Sequence, residues 1–575
     1  MNKNTFIQAL QLIPALHRKK GLWIAFLLTI NAFLDFFSIA SFIPIIFLII
    51  NPSFVESNAL ASGIYSFLGA ESIKSFIVYL TIAVLFFVLA KNLVSMWITR
   101  AKVKFAFEIG QHLSSNAISR YIEITFLEFS QVDFTRELNR ITNYPFAFAN
   151  NVIIPGFTLI SEAFICLLFL AAMAFYDFKM LSLVFVIAIP GVLLYQLRKK
   201  SLEKINQSLK DKYPALLKST LQVIEGFPEI KTYRKESYFQ QNFQKINESL
   251  TQAFVKDQTL QAGTLRFTEV IIGIIICSLI IYTVVAYQNY QQSLLLLSVY
   301  CGASFRIIPS ATRILHALQQ IRMHKYLFTE LTTNKYFTPA IPTSAPSGFS
   351  FNDSISFKNI SFQYPDGPVA LHDISLTIPK GKKIGIIGNS GEGKTTLLLV
   401  LLRFIKETSG EIFVDGKSIS NEAGWRGLIG YVPQNPYVLD GTLCENIAFG
   451  ISPDKIDRAK VLQLITELEM DELVKRLPDG IDSRIGERGA KLSGGQRQRL
   501  AIGRALYTDA SILLLDEVTN QVHSSLELEI VKLLEHLAFK KKTIIMVTHK
   551  IPDVNFFDTI YRLEKGVLHQ ELIPS

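Results

Sequence analysis

The sequence predicts a multi-domain protein. An all-α membrane domain of six spans with long cytosolic helical extensions occupies 1–327, a linker 328–350, and an α/β P-loop nucleotide-binding domain 351–575. Three observations predict this. The 575 residues are 49% hydrophobic with a mean hydropathy of +0.30, high for a chain lying wholly in water. Six apolar stretches approach the roughly 20 residues that a bilayer core of about 30 Å requires. In the C-terminal part, "GNSGEGKTT" stands between an apolar strand and an apolar helix, the context a P-loop needs.

The elements follow in chain order. Residues 4–17 read as an amphipathic helix on the inner membrane face, because the basic cluster "HRKK" follows the apolar part, whereas a signal peptide begins basic. Spans are expected near 21–50, 73–99, 152–176, 180–197, 267–287 and 292–315. The loops "NPSFVESNALASGIYSFLGAE" and "QNYQQ" carry no Lys or Arg, while "HRKK", "RAKVK" and "RKK" flank the opposite ends. The positive-inside rule therefore puts both termini in the cytosol and loop 51–71 outside. The net charge of +10 gathers beside these apolar runs, which indicates a membrane surface and no nucleic-acid partner. Stretches 100–150 and 198–262 keep helical apolar spacing and continue the spans into the cytosol. "FTPAIPTSAPSGFS" breaks that spacing and marks the linker. Cys166, Cys277, Cys301 and Cys444 have no metal-site spacing and read as small core residues.

The nucleotide site comes from spacing. Backbone N–H groups from Ser390 through Gly391, Glu392 and Gly393 to Lys394, in the loop that begins at Gly388 and Asn389, cradle phosphates at the start of a helix containing Thr395 and Thr396. Lys394 neutralises the β- and γ-phosphates and the Thr395 hydroxyl holds Mg²⁺. "SILLLDE" ends a buried strand in two carboxylates, of which Asp516 orients Mg²⁺-bound water and Glu517 polarises the attacking water. Ser493, Gly494 and Gly495 open a helix and form a second anion-binding terminus.

The ordered set "GNSGEGKTT", "YVPQNPYVLDGTLCENI", "LSGGQRQR", "LLLLDE" and "MVTH" resembles the ATPase domain of ABC transporters. The resemblance implies that Tyr364 stacks on adenine, Gln434 links Mg²⁺ to the membrane half and His549 contacts the γ-phosphate. It implies that Leu492, Ser493, Gly494, Gly495 and Gln496 close over ATP held by a second subunit, so one ATPase domain and six spans make a half-transporter that pairs with a second copy. "RIGERG" around Glu487 is similar to a loop of the exporter branch that touches cytosolic helices. In the D-loop, His523 stands where most relatives carry an acidic residue, which implies an active ATPase with looser coupling between its two sites.

Charged groups within spans bear on the cargo, since each Lys or Arg at mid-membrane costs about 2.5–3.5 kcal/mol. Lys91, Arg266, Arg306 and Arg313 stand out, and the last two lie two helical turns apart on one face. They either pair with Asp35, Glu162 or Glu269, with Arg266 and Arg313 also able to snorkel to the inner interface, or line a cationic cavity suited to a phosphate or pyrophosphate headgroup. "SFRIIPSATRI", "FFSIASFIPIIF" and "IYRLEKGVLHQE" resemble bacterial lipid-linked oligosaccharide flippases, which implies an inner-membrane exporter of a lipid-linked oligosaccharide or similar amphipathic anion. An exporter of drugs, peptides or lipids on the same scaffold, and a regulatory subunit of a heterodimer, are the alternative readings.

Overall fold

The computed structural model describes residues 12–176, 208–286, 290–332, 350–486, 491–518, 530–536, 542–549 and 554–571, apart from positions 54, 56, 57, 366, 420 and 421. The chain divides into two compact units. One comprises Met1–Ile124 and Val132–Ile341, the other Thr125–Gln131 and Pro342–Ser575.

The first unit is helical. Its elements include α1 (Ala15–Ala40), α2 (Phe42–Ile50), α3 (Ala59–Phe67), α4 (Ile73–Glu123), α5 (Phe134–Phe148), α6 (Ile154–Tyr176), α7 (Glu236–Ala286), α8 (Tyr290–Met323) and α9 (Tyr326–Thr332). Among the described residues three stretches are long and apolar enough to cross a membrane: His17–Ile50, Ile73–Glu123 and Phe134–Ala174. The spans expected at 267–287 and 292–315 fall largely in α7 and α8, and the span expected at 180–197 lies outside the described residues. So does the amphipathic segment at 4–17 over residues 4–11. Helices α4 and α7 have 51 residues each. At 1.5 Å per residue each is about 77 Å long, more than twice a bilayer core. Phe86, Leu93 and Trp97 of α4 are 67%, 70% and 59% exposed, an apolar surface that suits lipid and not water.

Between α5 and α6 the chain widens into a π-helical turn, Ala149–Ile153. Pro155 follows closely and has no N–H to donate to the ladder of the preceding turn. Gly110 of α4 lets α5 approach: a Cβ there would lie 3.1 Å from the Pro145 carbonyl and 3.4 Å from the Ala149 Cβ. Ile24, Ile98, Phe105, Phe148, Leu327 and Phe328 share one buried cluster. This corrects the expected linker boundary at 328. Leu327, Phe328 and Leu331 are buried, and packing holds the chain helical to Thr332, short of the break in spacing at "FTPAIPTSAPSGFS". The cysteines also differ from expectation: of those described, Cys444 is buried, Cys166 intermediate and Cys277 exposed, because an apolar stretch facing lipid has no core on that side.

The second unit holds two sheets. An antiparallel sheet runs β2 (Val369–Pro379), β1 (Ser354–Gln363), β4 (Ser409–Val414), β5 (Lys417–Ser418). The other has the order β10 (Val567–Glu571), β9 (Thr559–Glu564), β3 (Lys383–Ile387), β8 (Thr543–Thr548), β7 (Ile512–Asp516), β6 (Ile429–Val432). It is parallel except for β10. Strands β3, β7 and β8 are almost continuously buried, as parallel strands covered on both faces must be. Strand β2 instead alternates, one face on the core and one outward. Helices α10 (Lys394–Leu401) and α11 (Gly494–Tyr507) belong to this unit.

Candidate functional site

Three neighbouring strands deliver the site. The sheet order β3, β8, β7 puts their C-terminal ends side by side, and from these ends emerge the phosphate loop, His549, and the pair Asp516 and Glu517. Crevices outside such ends are where open α/β sheets bind ligands. Gly388 ends the approach of β3, where a Cβ would sit 2.6 Å from the Leu563 carbonyl. Gly393, at φ +103°, makes the left-handed turn into α10.

Lys394 opens α10 and is buried. Its ammonium donates to the carbonyls of Gly388 at 2.7 Å and Asn389 at 2.9 Å and approaches His549 Nδ1 at 3.1 Å. Glu517 Oε1 lies 3.8 Å from Lys394 Nζ and 2.7 Å from His549 Nε2, and Gln434 Nε2 donates to Oε2 at 2.7 Å. His549 Nδ1 lies 3.1 Å from the Gly388 carbonyl as well as from Lys394, so the ring bridges the phosphate loop and Glu517. Glu517 adopts φ +47°, and its N–H donates to the Val547 carbonyl at 2.8 Å, so the adjoining strand fixes a conformation few side chains take. Burial lowers the Lys394 pKa below its ordinary value, against the opposing charges of Glu517, Asp516 and Glu392. Burial raises that of Asp516, and the Glu517 charge adds to this, against a hydrogen bond from Tyr431 and the Lys394 charge.

A cleft of about 540 Å³ is lined by Tyr364, residues 390–396, Glu517 and His549, with Ala370, His372, Lys565 and Gly566 among the remaining wall. The Tyr364 hydroxyl stands 3.2 Å from Thr396 Oγ1. The Thr395 hydroxyl, the Asp516 carboxylate and the amide oxygen of Gln434 are hard oxygen donors of the kind Mg²⁺ takes alongside substrate phosphates. The Gln434 fit is specific, because its NH₂ is engaged by Glu517 and its Oε1 is the atom left to bind. Leu492 is buried, and Ser493 and Gln496 cap α11 reciprocally at 2.9 and 3.3 Å. Together with Gly494 and Gly495 they stand apart from the residues that line the cleft.

Sequence reasoning missed several supports. The Tyr431 hydroxyl donates to Asp516 at 3.2 Å, and Gln498 Nε2 donates to the Gln434 carbonyl at 2.7 Å. The β9–β10 turn also went unread, although "EKG" carries the glycine signal of a tight hairpin. His523 and Glu487 lie outside the described residues.

Among the described residues, each of the four membrane cations has a carboxylate partner. Asp35 accepts from Lys91 at 2.7 Å and Arg306 at 2.5 Å. Glu162 accepts from Ser310 at 2.6 Å and lies 2.6 Å from Arg313 and 3.9 Å from Arg306. Arg266 pairs with Glu269 at 3.0 Å on an exposed surface. The physical reason is the cost named above: uncompensated cations in an apolar bundle draw the nearest carboxylates.

The family model of the ABC transporter matches residues 371–520, and that of the ABC transporter transmembrane region matches residues 24–301. The chain is similar to curated proteins named ATP-dependent lipid A-core flippase. The one from Photobacterium profundum is 28% identical over 417 residues, covering 70% of each chain. The one from Burkholderia thailandensis is 29% identical over 434 residues, covering 73% of this chain and 71% of that one. The one from Ralstonia nicotianae is 38% identical over 228 residues, and the match spans 38% of its length. Among solved structures, a bacterial Atm1-family ABC exporter with ATP bound has a TM-score of 0.76 at 19% identity, covering 97% of this chain and 95% of that one, a likeness of fold.

Proposed function

We propose a function from one premise: the chain belongs to the ABC transporter family, as a half-transporter of the exporter type. On this reading it hydrolyses ATP to move a glycosylated, phosphate-bearing lipid outward across the bacterial inner membrane, with both termini and the ATPase domain cytosolic. The observation that carries the ATPase reading is the convergence of Lys394, Glu517, His549 and Gln434 on one point at the ends of β3, β7 and β8.

Each side chain then has a task. Lys394 exchanges its carbonyl and carboxylate partners for phosphate oxygens. Glu517 turns to orient the attacking water, and His549 follows from Glu517 to the γ-phosphate. Mg²⁺, when bound, neutralises charge between the β- and γ-phosphates, and Thr395, Gln434 and Asp516 are the residues that would hold it. Leu492 to Gln496 stand apart from the chain's own cleft, which favours a second copy supplying that segment across a dimer interface.

The relatives' printed names support a lipid cargo. Lys91, Arg306 and Arg313 against Asp35 and Glu162 set three positive charges beside two negative, so the network keeps one net positive charge for a phosphate headgroup to meet. The test uses purified dimer in nanodiscs. ATP hydrolysis is measured with lipid A-core, a polyprenyl-pyrophosphate oligosaccharide, drugs and peptides in turn. Lys394→Ala should lose ATP binding, and Glu517→Gln should bind ATP with turnover reduced at least about a hundredfold. Near-normal turnover in Glu517→Gln would remove that residue from catalysis. Stimulation by peptides or drugs alone would replace the lipid reading, and absent hydrolysis in wild type would favour the regulatory subunit.

A further inference from the structure

Glu392 puts a carboxylate in the wall of the nucleotide cleft, between Gly391 and Gly393, where the loop is shaped for phosphates of like charge. A free acid there would repel the ligand. Its surroundings show a different use. The Glu392 carboxylate accepts a hydrogen bond from the backbone N–H of Lys565. Lys565 and Gly566 form the two-residue turn between β9 and β10, flanked by the pair Glu564 and Val567. Their φ values of +47° and +78° are those of a type I′ turn, which fixes where that N–H points.

A second contact point makes the junction three-sided. The Ala370 carbonyl, at the start of β2, would come within 2.6 Å of a Cβ on Gly393 and 2.7 Å of one on Gly566. The His372 N–H donates to the Gly566 carbonyl at 2.8 Å. Phosphate loop, β2 and hairpin turn therefore close on one spot, and Ala370, His372, Glu392, Lys565 and Gly566 all border the cleft.

We propose that Glu392 is a positioning residue that clasps the phosphate loop to the β9–β10 turn, and that this turn is part of the nucleotide-binding site. The proposal rests on the ATP-binding reading above. It makes a prediction of sign. If Glu392 were only a negative neighbour of the phosphates, its removal would tighten ATP binding. As a clasp, its removal loosens the loop and weakens binding, although a repulsive charge has gone.

The experiment uses the full chain in nanodiscs and reads the ATP dissociation constant, KM and kcat. Glu392→Ala should raise KM and the dissociation constant roughly 5–20-fold, with KM carrying the larger part of the loss in kcat/KM. Glu392→Gln keeps an acceptor for the Lys565 N–H without the charge, and should leave both constants unchanged or lower. Gly566→Ala strains the turn and pushes on Ala370, so it should raise KM as Glu392→Ala does. The double variant should rise no further than the larger single effect. A dissociation constant unchanged or lowered in Glu392→Ala overturns the clasp, as does multiplication of the two effects in the double variant. Should Gly566→Ala not fold, the contrast between Glu392→Ala and Glu392→Gln decides alone. Wild type that binds no ATP would sink the ATP reading instead, whereas wild type that binds it beside an equally tight Glu392→Ala would sink only the clasp.

Discussion

Replacing Asp35 by Asn tests what the membrane network does. Asp35 holds Lys91 at 2.7 Å and Arg306 at 2.5 Å, and the side chains are 11%, 14% and 18% exposed respectively. At an effective dielectric of about 20, each contact is worth roughly 6 kcal/mol of gross attraction, most of it offset by the desolvation of both ions. The asparagine keeps the shape and one acceptor but leaves two cations facing each other. Breaking a buried pair from one side costs about 3–5 kcal/mol. At roughly 2–4 °C per kcal/mol for a domain of 150–250 residues, the melting temperature should fall on the order of 10 °C. The assay is thermal melting in nanodiscs without ligand. Asp35→Asn with Lys91→Met should recover most of the loss, because Arg306 then retains Glu162 at 3.9 Å. A melting temperature within about 1 °C of wild type in Asp35→Asn would refute the structural account, and lost stimulation by lipid beside it would make Asp35 a group that contacts cargo.

Four further outcomes follow from the geometry. Tyr431→Phe removes the donor to Asp516 and should weaken Mg²⁺ dependence of hydrolysis by about threefold to tenfold, read as a higher Mg²⁺ midpoint with protein stability little changed. The pH profile of kcat/KM, which reports the free enzyme, should be narrowed at both ends. Burial first, then Glu517, raises the Asp516 pKa, so the acid limb lies above the ordinary carboxylate range, and burial lowers that of Lys394, so the alkaline limb begins below that of free lysine. The sign for stability is opposite: a raised carboxylate favours the fold at low pH and loses that contribution as pH rises through its folded pKa, so Asp516→Asn should melt higher than wild type at pH 7 and equally near pH 3. Glu330, 3% exposed, faces Arg136 at 2.9 Å, Arg140 at 3.0 Å and Lys210 at 3.5 Å. Burial alone would raise its pKa, but the bonds and charges of Arg136 and Arg140 outweigh it and hold it low. Glu330→Gln should therefore cost about 2 kcal/mol at pH 7, Arg136 being half exposed, with the difference vanishing as acid protonates the wild-type glutamate.

Much of the second unit was legible because its chemistry is local. A strand, a glycine loop and a helix adjoin in "KIGIIGNSGEGKTTLLL", so order along the chain is order in space. "SILLLDE" and "TIIMVTH" read as buried strands for the same reason, and β7 and β8 pair from Ile512 with Thr543 to Asp516 with Val547. What escaped is lateral. Tyr431 reaches Asp516 across 85 positions, and nothing in "IGYV" marks its hydroxyl as the donor. Thr125–Gln131 is a sharper case. Its spacing continues the helical pattern of 100–150, yet a capping box of Thr125 and Glu128 starts a separate short helix, and the segment belongs to the second compact unit. Phe126 stacks there on Phe404, with ring centroids 5.6 Å apart. Composition along one stretch carries no sign of a partner so distant in the chain.

The membrane cations show why such limits matter for function. The insertion cost of Arg306 and Arg313 demands compensation, but it is silent about the source: a ligand phosphate and an internal carboxylate satisfy it equally. Asp35 and Glu162 lie 271 and 144 positions from Arg306, and only the packing of α1, α6 and α8 brings them within reach. Under the proposed reading of a phosphate-bearing cargo, that outcome would alter the energetics of its recognition. A phosphate entering an open cationic cavity would gain the full attraction of its partners. In a paired network it must displace a carboxylate from each guanidinium it engages, so the net gain is the difference between two anions of similar strength. On that reading such exchange would keep affinity modest, and the released Asp35 and Glu162 would lower the cost of the cargo leaving again. Weak, reversible binding is what a transporter needs, because a headgroup held by uncompensated arginines would enter readily and depart slowly.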